Sequence, residues 1–420
     1  MKTLLGALFI LIGAFAFFLF FSPRDIILQS KPNGGFDVGV NLLAVPEASA
    51  TSSSENVAEI RSANGDISNQ QPLPNPPEIA KAVYLTGWSA GSYNKMTSII
   101  KLIEDRGLNA VVIDIKDYSG YVSYAMNVPE VGASGAEKEI RIVRPNELIK
   151  RLHDKNIYVI GRVTVFQDPI LAKARPELAL QNKITGKLWL DNHKLAWLDP
   201  AGQPTWDYII SIAKDALGRG FDEINFDYIR FASDGKLGEI SFPFWDEKTP
   251  KHLVIKKFFA YLRENLPDAK LSADIFGLAT IDTWDDLGIG QVLEDAYQYF
   301  DYVCPMVYPS HYAVGTLGYK NPADHPYEIV KYSMDKAIER LTAHGKQTTA
   351  TTTEPLAVVR SQSAKLRPWL QVFDMGAVYT SKMINDQIRA TEDALASSSA
   401  QYGGWLLWDP ANNYRNFKNL

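Results

Sequence analysis

Eight short apolar runs, separated by stretches of helical periodicity, constrain the folding of this chain more than any other feature of it. They are AVYLTGW (82–88), NAVVIDIKD (109–117), IYVIGRVTVF (157–166), EINFDYIRF (223–231), KLSADIFG (270–277), YVCPMVYPS (302–310), LRPWLQVF (366–373) and GGWLLWD (403–409). Between them, SYNKMTSIIKLIEDRG (92–107) has helical apolar spacing and ends on Gly107. QPTWDYIISIAKDALGRG (203–220) carries Pro204 in its first turn and ends at Gly218 or Gly220. Three further segments, 250–267, 326–345 and 381–397, follow the same pattern. Strands alternating with helices specify a parallel sheet with crossover connections. Eight such units in about 340 residues predict a (β/α)8 barrel. An open doubly wound sheet is the alternative, but no Gly-rich phosphate loop follows the first strand.

Ahead of the barrel, Lys2 precedes an apolar run from Leu4 to Phe21, about the length that crosses a bilayer core. Phe20 and Phe21 lead straight into Ser22, Pro23 and Arg24, without the small residues of a cleavage site, so residues 1–25 are expected to be an uncleaved signal anchor. That would place the domain at the cell membrane, outside the cytoplasm, or would have it secreted if the segment is cleaved. Residues 26–78 are rich in Ser, Asn, Gln and Pro and are expected to be a flexible tether; the barrel domain is expected over 79–420. The net charge of −5 and the lack of a basic run argue against a nucleic-acid partner. One cysteine, Cys304, precludes an intrachain disulfide and a Cys-type zinc site, and the six histidines show no ligand spacing. No cofactor or metal is expected.

In such a barrel, chemistry gathers at the carboxyl ends of the strands. Those ends carry Trp88, Asp114 and Asp117, Arg162 and Gln167, Asp227 and Arg230, Asp274, Tyr308 and His311, Gln371, and Trp408 and Asp409. A ring of carboxylates edged by aromatics suits glycosidic bond hydrolysis. One carboxylate attacks or stabilises the oxocarbenium-like centre, a second protonates the leaving oxygen, and aromatic faces stack on sugars. Asp227 and Asp274 fall on neighbouring strands, ~5 Å apart in a sheet. Asp227 could instead be held in a structural ion pair by Arg230 or Arg162, and Asp274 has a similar bland reading. Asp114 and Lys116 share one face of their strand, while Asp117 lies nearer the loop. The long connections around 167–203 and 311–346 are expected to be walls or lids.

The motifs FDYIRF, LSADIFG, CPMVYPSHY, RPWLQ and GWLLWDPANNY, in this order, resemble a family of bacterial, often exported glycoside-hydrolase-like domains formerly of unknown function, related to α-amylase- and α-galactosidase-like hydrolases. The resemblance spans about residues 81–414. It implies a TIM barrel, a carbohydrate substrate, Asp227 at the position of the strand-four nucleophile, and Asp274 at the strand-five position of the acid/base, where several relatives have Glu. Asp117, Tyr118, Arg230, Tyr308, His311, Trp408, Trp88 and Asp114 are the expected substrate-binding residues, Asp117 also being an alternative acid.

Two other readings compete. GWSAG (87–91) matches the G-x-S-x-G elbow of serine esterases, which would make Ser89 a nucleophile. A barrel that binds glycan without cleaving it would use the same aromatics.

Overall fold

The structure, a computed structural model, describes residues 65–348, 364–395 and 401–417, together with a short antiparallel pair, Leu28–Ser30 with Phe36–Val38. The run 4–21 expected as an anchor lies outside the described residues. Among those that are described, no helix is long and apolar enough to cross a membrane.

All eight expected strands form, and they close on one another: β1 (Ala80–Leu85), β2 (Ala110–Lys116), β3 (Tyr158–Thr164), β4 (Glu223–Asp227), β5 (Leu271–Phe276), β6 (Tyr302–Val307), β7 in two pieces (Lys365–Leu366 and Trp369–Gln371) and β8 (Gly404–Trp408). Each pairs in parallel with the next, and β8 returns to β1 through Gly404–Ala80 and Leu406–Ala82. This is a closed eight-stranded (β/α)8 barrel, and the open-sheet alternative is excluded. The helices α1 (Tyr93–Arg106), α2 (Pro145–His153), α3 (Gln203–Arg219), α4 (Lys251–Asn265), α5 (Leu293–Tyr297), α6 (Pro326–Thr348) and α7 (Ser381–Leu395) occupy the successive crossovers.

The two faces of each strand go to two separate cores, as period-two alternation requires. Val83, Val111, Ile113, Val159, Ile224, Phe226, Leu271, Ala273 and Val303 face the helices in the larger core. Ala82, Tyr84, Val112, Tyr158, Ile160, Cys304, Trp369, Leu406 and Trp408 form the smaller one within the barrel. On β4 the sequence EINFD therefore reads Ile224 and Phe226 outward and Glu223, Asn225 and Asp227 inward. At the amino-terminal end of the barrel, Arg367 donates to Glu223 at 2.9 and 3.1 Å, Tyr158 adds a hydroxyl at 3.1 Å, and the Tyr302 ring lies 3.5 Å from the guanidinium carbon.

The expected tether is too long at its carboxyl end, because residues 65–78 lie on the barrel. Asp66 accepts from the backbone N–H groups of Asn146 and Glu147 at 3.0 and 3.1 Å, which caps α2, whose own N-cap residue, Arg144, has no oxygen to offer. The Gln70 N–H donates to the Arg219 carbonyl at 3.1 Å, and Leu73, 9% exposed, enters the interior core with its N–H on Asp222 at 2.6 Å. Gly220 closes α3 at φ 105°, and an added Cβ there would meet the Gln70 carbonyl oxygen at 2.7 Å. Only glycine serves both the turn and the passing chain.

Ser89 belongs to a short helix, Gly87–Gly91, capped by the Thr86 hydroxyl at 3.2 Å. A nucleophile elbow needs a strained left-handed turn on an open α/β-hydrolase sheet. Ser89 is not among the residues with positive φ, and the sheet is closed. The esterase reading is thereby overturned.

Candidate active site

At the carboxyl end of the barrel the interior turns polar around one cation, Arg162, whose side chain points inward from β3. Its Nη1 lies 2.6 Å from Asp114 Oδ1, its Nη2 2.5 Å from Asp227 Oδ2, and its Nε 3.8 Å from Asp274 Oδ2. Register explains the gathering. Asp114 is the cross-strand partner of Arg162, and Asn225 and Phe226 pair with Ser272 and Ala273, so the next step sets Asp227 beside Asp274. Tyr84 and Trp408 stack with centroids 3.9 Å apart and lie 5.6 and 5.1 Å from the guanidinium carbon.

One guanidinium faces three carboxylates in low dielectric, so ionisation of all three is disfavoured. Burial, followed by the charge of Asp227, pushes the Asp274 carboxyl well above the usual range, against the opposing pull of Arg162. Its Oδ1 accepts from Trp369 Nε1 at 2.7 Å and Asn225 Nδ2 at 2.8 Å. Burial also pushes Asp114 up to about 6 despite Arg162, and the Tyr84 hydroxyl donates to it at 2.5 Å. Burial and then the charge of Asp274 raise the Tyr308 phenol, which stays neutral beside the cluster.

Asp227 differs from its neighbours in presentation. Its side chain is 9% exposed, against 3% for Asp114 and 1% for Asp274. The strand ends on it, four residues before the expected end at Phe231, because Tyr228 adopts φ 55°, a left-handed conformation that costs a bulky residue energy. That turn aims the Tyr228 N–H at Asp227 Oδ1, at 2.6 Å.

The other expected residues separate into groups. Arg230 makes no ion pair with Asp227: it donates to the Phe231 carbonyl at 3.1 Å and Ser233 Oγ at 2.9 Å, among the rings of Trp197, Tyr228 and Phe276. The ion pair that holds Asp227 is with Arg162. Asp117 is bound by Arg141 and by Ser119, and Arg141 also lies 5.3 Å from the Trp88 ring, which is half-exposed on the rim. Tyr118 is half-buried, and its phenol is raised by burial and by the charges of Asp117 and Asp114. Tyr308 packs edge-on against His311 and Phe373, and burial pushes His311 down to about 4, so its imidazole is neutral at physiological pH. Trp408, 8% exposed, supports Arg162 from within the barrel and offers no open face to a sugar. Asp168, on the loop after β3, pairs at 2.9 Å with the fully buried Lys116, which also holds the Thr164 carbonyl at 2.7 Å.

The sequence names Arg162 as a strand-end residue and a possible partner of Asp227; that it serves three carboxylates at once, with Tyr84, Trp369 and Asn225 around the cluster, was not expected. The signal was present in YVIGRVT, where Arg162 shares the inward parity of Tyr158 and Ile160.

A protein-family model described as "Putative glycosyl hydrolase domain" matches residues 82–414. The chain belongs to this family. Among solved structures, a hypothetical protein from Ruminiclostridium thermocellum is 44% identical over 46% of this chain and 96% of that one, with a TM-score of 0.42. The glycoside hydrolase domain of PgaB (BpsB) from Bordetella bronchiseptica aligns over 81% of this chain and 99% of that one, with 14% identity and a TM-score of 0.52. The α-galactosidase TtGalA from Thermus thermophilus aligns over 84% and 62%, with 11% identity and a TM-score of 0.47. The PgaB likeness agrees with the family in its fold, a glycoside-hydrolase-like barrel. No curated protein sequence matches the chain.

Proposed function

We propose that this domain hydrolyses glycosidic bonds of an extracellular or cell-envelope polysaccharide through two carboxylates, Asp227 and Asp274. The observation that carries this reading is the Arg162 cluster at the carboxyl end of the barrel, with Asp227 its most exposed member. Asp227 is the nucleophile or the general base. Its two oxygens are held by the Arg162 guanidinium and the Tyr228 N–H, which fix it toward the mouth. Asp274 is the acid, because burial and the neighbouring charge of Asp227 make it hold its proton much more tightly than a free carboxyl. The proton belongs on Oδ2, since Oδ1 already accepts two hydrogen bonds. Three carboxylates around one guanidinium leave the floor electronegative, which favours an oxocarbenium-like transition state. The apolar residues 4–21 would anchor the chain in the cell membrane with the domain outside the cytoplasm.

The test is hydrolysis of a panel of envelope and storage glycans by the full chain. Asp227→Asn is expected to lower kcat by on the order of a thousandfold, and Asp274→Asn to lower it less and to remove the alkaline limb of the pH profile. Full activity in both variants sinks the mechanism.

The 1% exposure of the Asp274 side chain favours a second reading, a barrel that binds glycan without cleaving it. Under it, glycan binds, no reducing ends appear, and the Asp274→Asn change shifts only the melting temperature.

A further inference from the structure

Five arginines are buried among the described residues, and four of them pair with carboxylates: Arg141 with Asp117, Arg162 with Asp114 and Asp227, Arg263 with Asp301, and Arg367 with Glu223. The fifth is Arg230, 9% exposed, which makes no ion pair with a described residue. Its Nη1 is spent on the Phe231 carbonyl and Ser233 Oγ. Nε and Nη2 donate to no described residue. That free edge is the side of a guanidinium that takes an oxyanion with two parallel hydrogen bonds.

The surroundings hold the cation without neutralising it. The Trp197, Tyr228 and Phe276 rings lie 4.8, 5.3 and 5.0 Å from its central carbon, and they come from the loop after β3, the turn after Asp227 and the end of β5. Ring faces compensate part of the lost hydration, yet they satisfy no N–H group. The charge of Asp227 acts on Arg230 without an ion pair, since its oxygens are held by Arg162 and the Tyr228 N–H, and the other nearby acids are engaged elsewhere. Asp191 accepts from Trp197 Nε1 at 2.9 Å and from the His193 and Leu195 N–H groups, and Asp234 accepts from the Asn192 N–H at 3.0 Å. Burial lowers the pKa of Arg230, and a guanidinium nonetheless keeps its proton. A desolvated cation whose Nε and Nη2 donate to no described residue, three residues beyond Asp227, is suited to an anion supplied from outside the protein.

We infer that Arg230 is the receptor for an anionic substituent, a carboxylate or a sulfate ester, on the glycan that Asp227 addresses. The inference rests on the glycan reading of this end of the barrel and adds to it an acidic substrate class.

The test is isothermal titration of the full chain carrying Asp227→Asn, so that turnover does not intrude. The probes are oligogalacturonate and oligoglucuronate, the same oligosaccharides with each carboxyl reduced to a primary alcohol, and a neutral oligosaccharide with and without sulfate esters. The expected result is that an anionic probe binds about tenfold or more tightly than its uncharged counterpart. A uronate preference assigns carboxylate, a preference for the sulfated probe assigns the ester, and both together assign a general oxyanion site. Arg230→Gln is expected to bring charged and uncharged probes to equal affinity. Arg230→Lys, which keeps the charge but not the fork, is expected to recover part of the preference, and the preference of the unsubstituted site stands even where a variant fails to fold. Equal binding of charged and uncharged probes, or no binding of any anionic probe at millimolar concentration, overturns the inference. Anion preference without hydrolysis of any glycan by the unsubstituted chain would sink the hydrolase reading and leave this one intact. Asp227-dependent cleavage of a neutral glycan with no anion preference would do the reverse.

Discussion

Arg162 is the residue on which the carboxyl end of the barrel depends, since among the described residues it alone offsets Asp114, Asp227 and Asp274 within hydrogen-bonding or ion-pair distance. Removing a buried counter-charge costs about 3–5 kcal/mol, because the remaining charge has no solvent to return to. Arg162→Met is therefore expected to lower the free energy of unfolding by that amount in urea titration; a loss below 1 kcal/mol would mean the carboxylates are already neutral. Asp114 supplies a pH test. Its carboxyl lies at about 6 in the fold against 3.8 when free, so the folded chain holds the proton more tightly. The stability this contributes is full below the free value and is lost as pH rises through about 6. Asp114→Asn escapes that loss. Relative to the unsubstituted chain it should gain up to about 3 kcal/mol between pH 4 and pH 7, at 1.36 kcal/mol per unit. Asp409, also raised to about 6 by burial, has the same slope and is untouched by the substitution. An unchanged difference between the two chains across that range refutes the assignment.

At the scale of elements, the strands were legible because both faces of a barrel strand are buried and each run is nearly continuous in apolar residues. Where β4 stops was not legible: DYIRF continues the β-rich composition, and only the left-handed Tyr228 ends the ladder at Asp227. The partners of Asp227 and Asp114 were open for a related reason, since Arg162 is 65 and 48 residues away and nothing local names it. The segment 65–78 misled through its composition. Asp66 and Leu73 act through partners 80 and 149 residues on, so a polar stretch that reads as a tether is in fact a cap and a plug. Deleting residues 1–64 should leave the thermal transition in place, whereas Leu73→Ala should cost about 2–5 kcal/mol, the usual range for a buried leucine. Calorimetry of the two chains decides whether the folded unit begins near residue 66 or near residue 79.

Across the whole molecule, polar groups occupy both ends of the barrel interior with different duties. The Glu223–Arg367 pair at the amino-terminal end is fully buried, closed by Tyr158 and Tyr302, and remote from the mouth. Conserved chemistry at that end of a barrel serves stability, and at the other end catalysis. Glu223→Gln is accordingly expected to lower the melting temperature while leaving KM for any cleaved glycan unchanged; a changed KM would show that the two ends communicate. The carboxyl end has a constraint of its own in Tyr228. Its backbone turns Asp227 toward the mouth, and its ring is one wall of the Arg230 box. Under the proposed hydrolase reading, a substitution at 228 is therefore expected to alter reaction rate and substrate choice together. The other two walls, Trp197 on the loop after β3 and Phe276 at the end of β5, make no hydrogen bond to Asp227. Under the proposed reading those two positions are the routes by which selectivity can drift in descendants of this chain while the chemistry is kept, and position 228 is the one least free to follow.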